Sequence, residues 1–368
     1  MRDCVHHPVP VRRACKPRRA LVRASRRDYT AGMNAELPTQ LVDRFGRRVD
    51  YVRLSVTDRC DFRCVYCMAP EMTFVPKADV LTLEEIHQVA LAFTGLGVSK
   101  IRLTGGEPLV RNNILSLVAR LGRLPGLAEL AITTNGSQLR RTARELKASG
   151  VRRVNVSLDS LRPRRFRQLT RYGTLDQVLD GIDAALEAGF EGVRLNAVIL
   201  RGRNEDEVLD LVEFARRKGT DIAFIEEMPL GRIDEHDRGL SLVSSADLRA
   251  RIEQRYPLTS LGDPSGSAGP ARFFTMAGSD ARIGFISPHS ANFCHLCNRV
   301  RVTVEGRLLL CLGNEHSVDL RAVLRSPGYR LESLQAAIIA AMALKPERHH
   351  FDPGGEARIL RFMNATGG

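Results

Sequence analysis

The 368-residue chain has no uninterrupted apolar run of 18 residues and no secretory h-region. That argues against a membrane-spanning helix and against export. No side-chain pair stands out as an acid–base couple, so classical proton-transfer catalysis finds no support. Nor are the cysteines spread for disulfides. Six of the eight fall in two groups, Cys60/Cys64/Cys67 and Cys294/Cys297/Cys311, with Cys4 and Cys15 outlying. Such clustering points to metal or cluster ligation in a reducing, cytosolic compartment. The remaining composition, 43% hydrophobic and 26% charged, is that of an ordinary globular chain long enough for a large α/β domain and a smaller one.

The first cysteine group also lacks something, namely a fourth ligand. Cys60-Asp61-Phe62-Arg63-Cys64-Val65-Tyr66-Cys67 spaces three thiols C-x3-C-x2-C, directly after a strand-like run at 51–56. A [4Fe–4S] cube takes one thiolate per iron, so three cysteines leave one iron open to a ligand. Structural zinc would need four closed ligands. No His or fourth Cys lies in the loop, and His87 falls within a helical pattern some twenty residues on. We therefore read this loop as an open cluster site and the reactive centre.

Charge is unevenly distributed. Residues 1–32 hold nine Lys/Arg against two Asp, three prolines and no apolar periodicity, and supply +7 of the net +13. They read as a disordered basic tail. It could be an Arg-rich targeting segment, a nucleic-acid-binding arm, or upstream sequence included by an early start codon; the last is the expectation, with order beginning near Met33. The remaining +6 suits an anionic small ligand.

From residue 45 to about 260, strands and helices alternate. Strands are expected at 51–56, 100–104, 129–134, 153–158, 193–200 and 222–226. Helices fall between them, the first at 82–96 with Thr82 as N-cap and Glu85 completing a capping box. Six β/α units near 30 residues each predict a parallel sheet. Polar and glycine residues gather at the C-terminal strand ends, the functional rim of parallel barrels. Six units are too few to close an eight-stranded barrel, so the expectation is α/β: a partial, TIM-like parallel barrel whose open side something else must cover. After a Gly/Ser/Pro-rich stretch at 261–270 comes a smaller α+β region, 261–368, with a strand at 282–286, a hairpin at 300–304 and 307–311, and a helix at 331–344.

The second cysteine group falls in that region. Cys294-His295-Leu296-Cys297 and, after thirteen residues, Cys311 again offer three thiols. Spacing alone leaves open a structural zinc completed by His289, His295 or His316. Arg299 and Arg301 alternate on one strand, so both side chains share a face.

Taken together, C-x3-C-x2-C with Tyr66 before its last Cys, followed one strand later by Gly105-Gly106-Glu107-Pro108, resembles the radical S-adenosylmethionine superfamily. Arg53, Lys100, Arg102, Thr133-Thr134-Asn135-Gly136, Ser157-Leu158-Asp159, Cys-His-Leu-Cys-Asn-Arg-Val-Arg and the terminal Gly-Gly narrow the resemblance to the GTP 3′,8-cyclase family of molybdenum cofactor biosynthesis, from about Phe45 to Gly368.

The resemblance implies two [4Fe–4S] clusters, on Cys60, Cys64 and Cys67 and on Cys294, Cys297 and Cys311. The second would bind the guanine base, which displaces the zinc reading. Tyr66, Gly105, Gly106, Glu107, Ser157 and Met228 would contact S-adenosylmethionine. Gly105 and Gly106 would let backbone approach this ligand and Glu107 would face its ammonium. Arg53, Lys100, Arg102, Thr133, Arg194, Arg299, Val300 and Arg301 would hold GTP, guanidinium forks matching phosphate oxygens. Gly367 and Gly368 would insert into the barrel and assist turnover.

It further implies an external electron donor, a homodimer, and a downstream cyclic pyranopterin monophosphate synthase that takes the labile product. No membrane or nucleic-acid partner is expected. One departure stands out: the family usually has Arg where this chain has Ala223. The rival readings are another twin-cluster radical enzyme of the peptide-maturase type and a non-enzymatic zinc protein that binds nucleic acid through its basic tail.

Overall fold

The computed structural model describes residues 39–233, 241–262, 269–349, 351 and 359–367. The basic tail and Gly368 lie outside the described residues.

A short hairpin, β1 (Leu41–Val42) and β2 (Arg48–Val49), precedes the main sheet. Six strands then come in the expected order: β3 (Tyr51–Ser55), β4 (Lys100–Thr104), β5 (Glu129–Thr134), β6 (Val151–Ser157), β7 (Gly192–Val198) and β8 (Asp221–Ile225), each pairing in parallel with the next. The helix α1 (Leu83–Gly95) begins with a complete capping box. Thr82 Oγ1 accepts from Glu85 N, and Glu85 Oε2 accepts from Thr82 N. Its apolar residues Ile86, Val89, Ala90 and Phe93 are buried at helical spacing.

The later region joins the same sheet at both edges. β11 (Ser279–Ile286) pairs in parallel with β8, and β12 (Arg299–Val302) pairs in parallel with β3. The parallel run is therefore β12-β3-β4-β5-β6-β7-β8-β11. Antiparallel strands extend it further. β13 (Arg307–Leu309) and β14 (Ser317–Asp319) lie beyond β12, with β10 (Arg272–Met276) and β9 (Leu258–Ser260) beyond β11. The expected hairpin and the strand near 282–286 are both present. Six β/α units supply most of a barrel, and the later strands lengthen its arc on either side. The connection 287–298, from β11 at one end of the parallel run to β12 at the other, carries Cys294 and Cys297.

Parallel strands covered by helices are normally apolar on both faces. Here Val52, Leu54, Ile101, Leu103, Leu130 and Ile132 follow that rule and pack into the main hydrophobic cluster. The alternate residues of β3, β4 and β12 do not, because they are Tyr51 and Arg53, Lys100 and Arg102, and Arg299 and Arg301.

Candidate active site

Strand register assembles those cations. Arg301 pairs with Arg53 and Arg53 with Arg102; one step along, Arg299 pairs with Tyr51 and Tyr51 with Lys100. Neighbouring strands lie about 4.8 Å apart, so three guanidinium stems stand side by side within the sheet. They line a cavity of about 400 Å³ that also receives Thr133, Arg194, Met228, Val300, Cys294, Cys297 and Cys311. All eight residues expected to hold the substrate, and the whole second cysteine group, meet on one wall system.

Electrostatics marks this cavity as an anion site. Burial, then repulsion from Arg102 and Arg299, lowers Arg53 to about 10 against the pull of Tyr51. Burial, then Arg102, lowers Arg194 to about 10 as well. Burial, then Arg53 and Arg299, pushes Arg301 well below the usual guanidinium range. Tyr51 shows the complementary effect. Burial alone would raise its phenol, but Arg102, Arg53, Lys100 and Arg299 bring it down to about 7. Arg102 Nε donates to Tyr51 Oη at 2.7 Å. Buried cations crowded together with few carboxylates favour an anionic guest. Lys100 is the exception, because its ammonium lies 3.0 Å from Glu129 Oε1.

Ala223 sits fully buried on β8, in register with Asn196 and Gly284. Ala271, Ile286, Phe273 and Phe293 pack around it. Two nearby guanidiniums stack on the Phe273 ring, Arg194 at 5.7 Å and Arg282 at 5.0 Å from the centroid. Arg282 is also held by both oxygens of Asp221.

The first cysteine loop follows β3 at the C-terminal end of the parallel strands. Asp61 organises it, with its carboxylate accepting from Asn135 Nδ2 at 2.6 Å and Ser137 Oγ at 2.6 Å. Tyr66 Oη donates to Asp159 Oδ2 at 2.8 Å, while Asp159 Oδ1 accepts from Val198 N. Burial raises Asp159 to about 6. Tyr66 thereby ties the loop to the ends of β6 and β7, close to Ser157, which pairs with the cavity residue Asn196.

The Gly105-Gly106-Glu107 turn approaches the chain's own backbone. Gly105 has φ +146°, and a Cβ there would lie 2.3 Å from Thr57 O; one on Gly106 would lie 2.3 Å from Arg59 O. Gly106 N and Glu107 N donate to those same carbonyls. The carboxylate of Glu107 is fully buried and accepts from Leu109 N, Thr134 Oγ1 and Asn135 N. Burial raises it to about 7. The turn thus braces the segment that leads into Cys60.

The tail also reaches the barrel. Gly367 has φ +77°, and a Cβ on it would lie 1.9 Å from Thr104 Oγ1. Its carbonyl accepts from Arg301 Nη1. Asn364 Nδ2 donates to Asp58 O at 2.8 Å.

Both cysteine groups fit clusters in donor type and state. All six are free thiols, and within each group the thiols interact electrostatically with one another. Among the described residues no three His, Cys, Asp or Glu converge on a single metal ion. A cube instead takes one thiolate per iron and spreads its ligands.

Two residues escaped sequence reasoning. Lys345 follows the helix Leu331–Met342 and is buried beside Cys297. Arg47, in the β1–β2 turn, donates to Asp43 Oδ2 at 2.6 Å and to the carbonyls of Cys294, Pro346 and Glu347 at 2.8, 2.6 and 2.7 Å. No local sequence pattern signals either contact.

Comparison with known proteins agrees with this layout. Residues 54–215 match the Radical SAM superfamily, and residues 220–351 match Molybdenum Cofactor Synthesis C. A GTP 3′,8-cyclase of Marinobacter nauticus is 62% identical over 90% of this chain and 99% of its own length. GTP 3′,8-cyclase 2 of Pseudomonas aeruginosa is 61% identical, over 90% and 99%. The fold is shared with Streptococcus suis SuiB bound to precursor peptide SuiA: TM-score 0.55, 16% identity, 78% of this chain and 64% of that one. Membership in the radical SAM superfamily implies a [4Fe–4S] cluster and S-adenosylmethionine. Strand register, cysteine placement and near full-length identity converge: this chain belongs to the GTP 3′,8-cyclase family of the radical S-adenosylmethionine superfamily.

Proposed function

We propose that the protein converts GTP to a 3′,8-cyclised nucleotide, (8S)-3′,8-cyclo-7,8-dihydroguanosine 5′-triphosphate, an early step of molybdenum cofactor biosynthesis. The observation that carries this reading is the meeting of a buried arginine row and Cys294, Cys297 and Cys311 on one cavity. A phosphorylated end fits the first and a base-binding metal centre the second.

Cys60, Cys64 and Cys67 would hold the first [4Fe–4S] cluster, and Tyr66, Gly105, Gly106, Glu107, Ser157 and Met228 would frame S-adenosylmethionine. When bound, this pair would supply a carbon-centred radical able to abstract hydrogen from the ribose C3′. Arg53, Arg102, Arg299 and Arg301 grip the triphosphate, with Lys100, Thr133, Arg194 and Val300 completing the wall. Gripping it would align C3′ with C8 of guanine, so that the substrate radical closes the C3′–C8 bond instead of being quenched, the radical left on N7 then taking one electron from the external donor and one proton. Gly367 and Gly368 complete the site from the chain's end.

The protein would act as a cytoplasmic homodimer, fed by an external electron donor and followed by cyclic pyranopterin monophosphate synthase. No helix among the described residues is long and apolar enough to cross a membrane.

The test is anaerobic reconstitution followed by incubation with S-adenosylmethionine, dithionite and GTP. About eight irons per chain, with GTP-dependent 5′-deoxyadenosine and a cyclised nucleotide, is the expected result. 5′-Deoxyadenosine without a GTP-derived product would discard the substrate, and zinc without iron would discard the enzyme.

A further inference from the structure

Lys345 is 1% exposed and carries three N–H bonds, all of which are spent inside the protein. Nζ donates to Leu310 O at 2.8 Å, Arg299 O at 3.1 Å and Cys297 Sγ at 3.4 Å. None goes to a carboxylate. A buried ammonium needs a nearby negative charge, and the only acceptor here able to carry one is the cysteine sulfur. Arg47 adds a second cation on the far side of the same segment, through the Cys294 carbonyl.

The first cysteine group differs: Arg63 and Arg171 donate to backbone carbonyls of its loop, and among the described residues no cation is hydrogen-bonded to the Cys60 or Cys64 sulfur. Asp61 Oδ1 lies 3.9 Å from Cys60 Sγ, and Asp159 and Glu107 are buried around the same loop. Hydrogen bonds to cluster sulfurs and net charge are the levers by which a protein sets a cluster's reduction potential. Reduction adds one electron and breaks no bond, so a fixed neighbouring cation favours the reduced state.

We propose that Lys345 is the built-in counter-ion of the metal centre held by Cys294, Cys297 and Cys311, and that it raises that centre's reduction potential. This rests on the two-cluster reading given above. Lys345 is a positioning residue that acts through Cys297 and the Arg299 carbonyl, and it touches no reacting atom.

The test uses the full-length chain with Cys60→Ser, Cys64→Ser and Cys67→Ser, which isolates the second centre. Its midpoint potential is followed by electron paramagnetic resonance during dithionite titration. Lys345→Met is expected to shift the midpoint to more negative values, while Lys345→Arg, which keeps the charge, stays near the parent. In the Cys294→Ser/Cys297→Ser/Cys311→Ser background, Lys345→Met should leave the first centre's midpoint unchanged.

Loss of the centre from Lys345→Met but not from Lys345→Arg, in folded protein, would also support the counter-ion role. An unchanged midpoint in Lys345→Met, an equal shift in Lys345→Arg, or loss of the centre from both variants would overturn it. If the parent of this series binds no iron, the two-cluster reading falls and this proposal with it; iron without a shift removes this proposal alone.

Discussion

The carbonyl of Gly367 accepts a hydrogen bond from Arg301 Nη1, so the next-to-last residue is held by the same guanidinium that stands in the arginine row. The chain's end and the anion wall are thereby one construction. Gly367→Ala should break it, because its Cβ would lie 1.9 Å from Thr104 Oγ1 at a backbone φ of +77°. A misplacement of this order costs roughly a hundredfold in turnover. Product formation should fall by about that factor, while the iron content stays that of the parent; an undiminished turnover would show that the tail has no part in the site.

Arg301 gives a prediction of opposing signs. Burial and the neighbouring Arg53 and Arg299 disfavour its charge. Arg301→Met should therefore raise the melting temperature of ligand-free protein. It should also weaken GTP binding by roughly ten- to a hundredfold, the worth of one charge-assisted hydrogen bond. Calorimetric melting and equilibrium dialysis measure the two effects. A lowered melting temperature would mean that loss of the hydrogen bond to the Gly367 carbonyl outweighs relief of the repulsion.

Tyr51 makes the cavity sensitive to pH. Its phenol is brought from 10.0 to about 7, mainly against burial and by Arg102. A depressed acid contributes stability that is complete above its unfolded value and is lost as pH falls through the folded one, so this contribution grows between about pH 7 and 10. The phenolate also competes with an anionic guest for the same guanidiniums. Nucleotide affinity should thus fall as pH rises above about 7, by up to about tenfold per unit, and Tyr51→Phe should flatten the profile. Equal slopes in parent and variant would refute the assignment.

Arg47→Ala tests the scaffold. Removing a nearly buried guanidinium takes its donors from Asp43 Oδ2 and from the carbonyls of Cys294, Pro346 and Glu347, while Asp43 Oδ1 keeps the backbone N–H groups of Phe45 and Arg47. The cost should be about 2–4 kcal/mol in chemical unfolding. Arg47→Lys should recover only part of it, because one ammonium cannot span the fork.

Much of this was legible in the chain. Strand–helix alternation, the capping box at Thr82 and the rim of polar residues are local patterns, and local patterns survive folding. Cysteine spacing is local too. What escaped depends on distant pairing: nothing near Arg299 announces that it will lie in parallel register with Tyr51, nor does a lysine after a helix announce burial against Cys297. The glycine turn was partly read. Its need for glycine was visible, but the crowding partner is the chain's own Thr57–Arg59 backbone.

The connection 287–298 has a consequence for the protein's working life. Among the described residues no strand pairing joins β11 to β12; the stretch 287–298 runs between the two ends of the parallel run, as does the segment 359–367, which bridges Leu230 at Ile359 and meets Arg301 at Gly367. Arg47 holds the 287–298 stretch at the Cys294 carbonyl, and Cys294 and Cys297 line the same cavity as Cys311. A cluster on those thiols, as proposed above, would act as a clasp as well as a ligand site, and its loss to oxygen would undo both. Damaged molecules should then carry a loosened, protease-sensitive stretch between residues 287 and 298, a mark by which a cell could sort spent enzyme from sound.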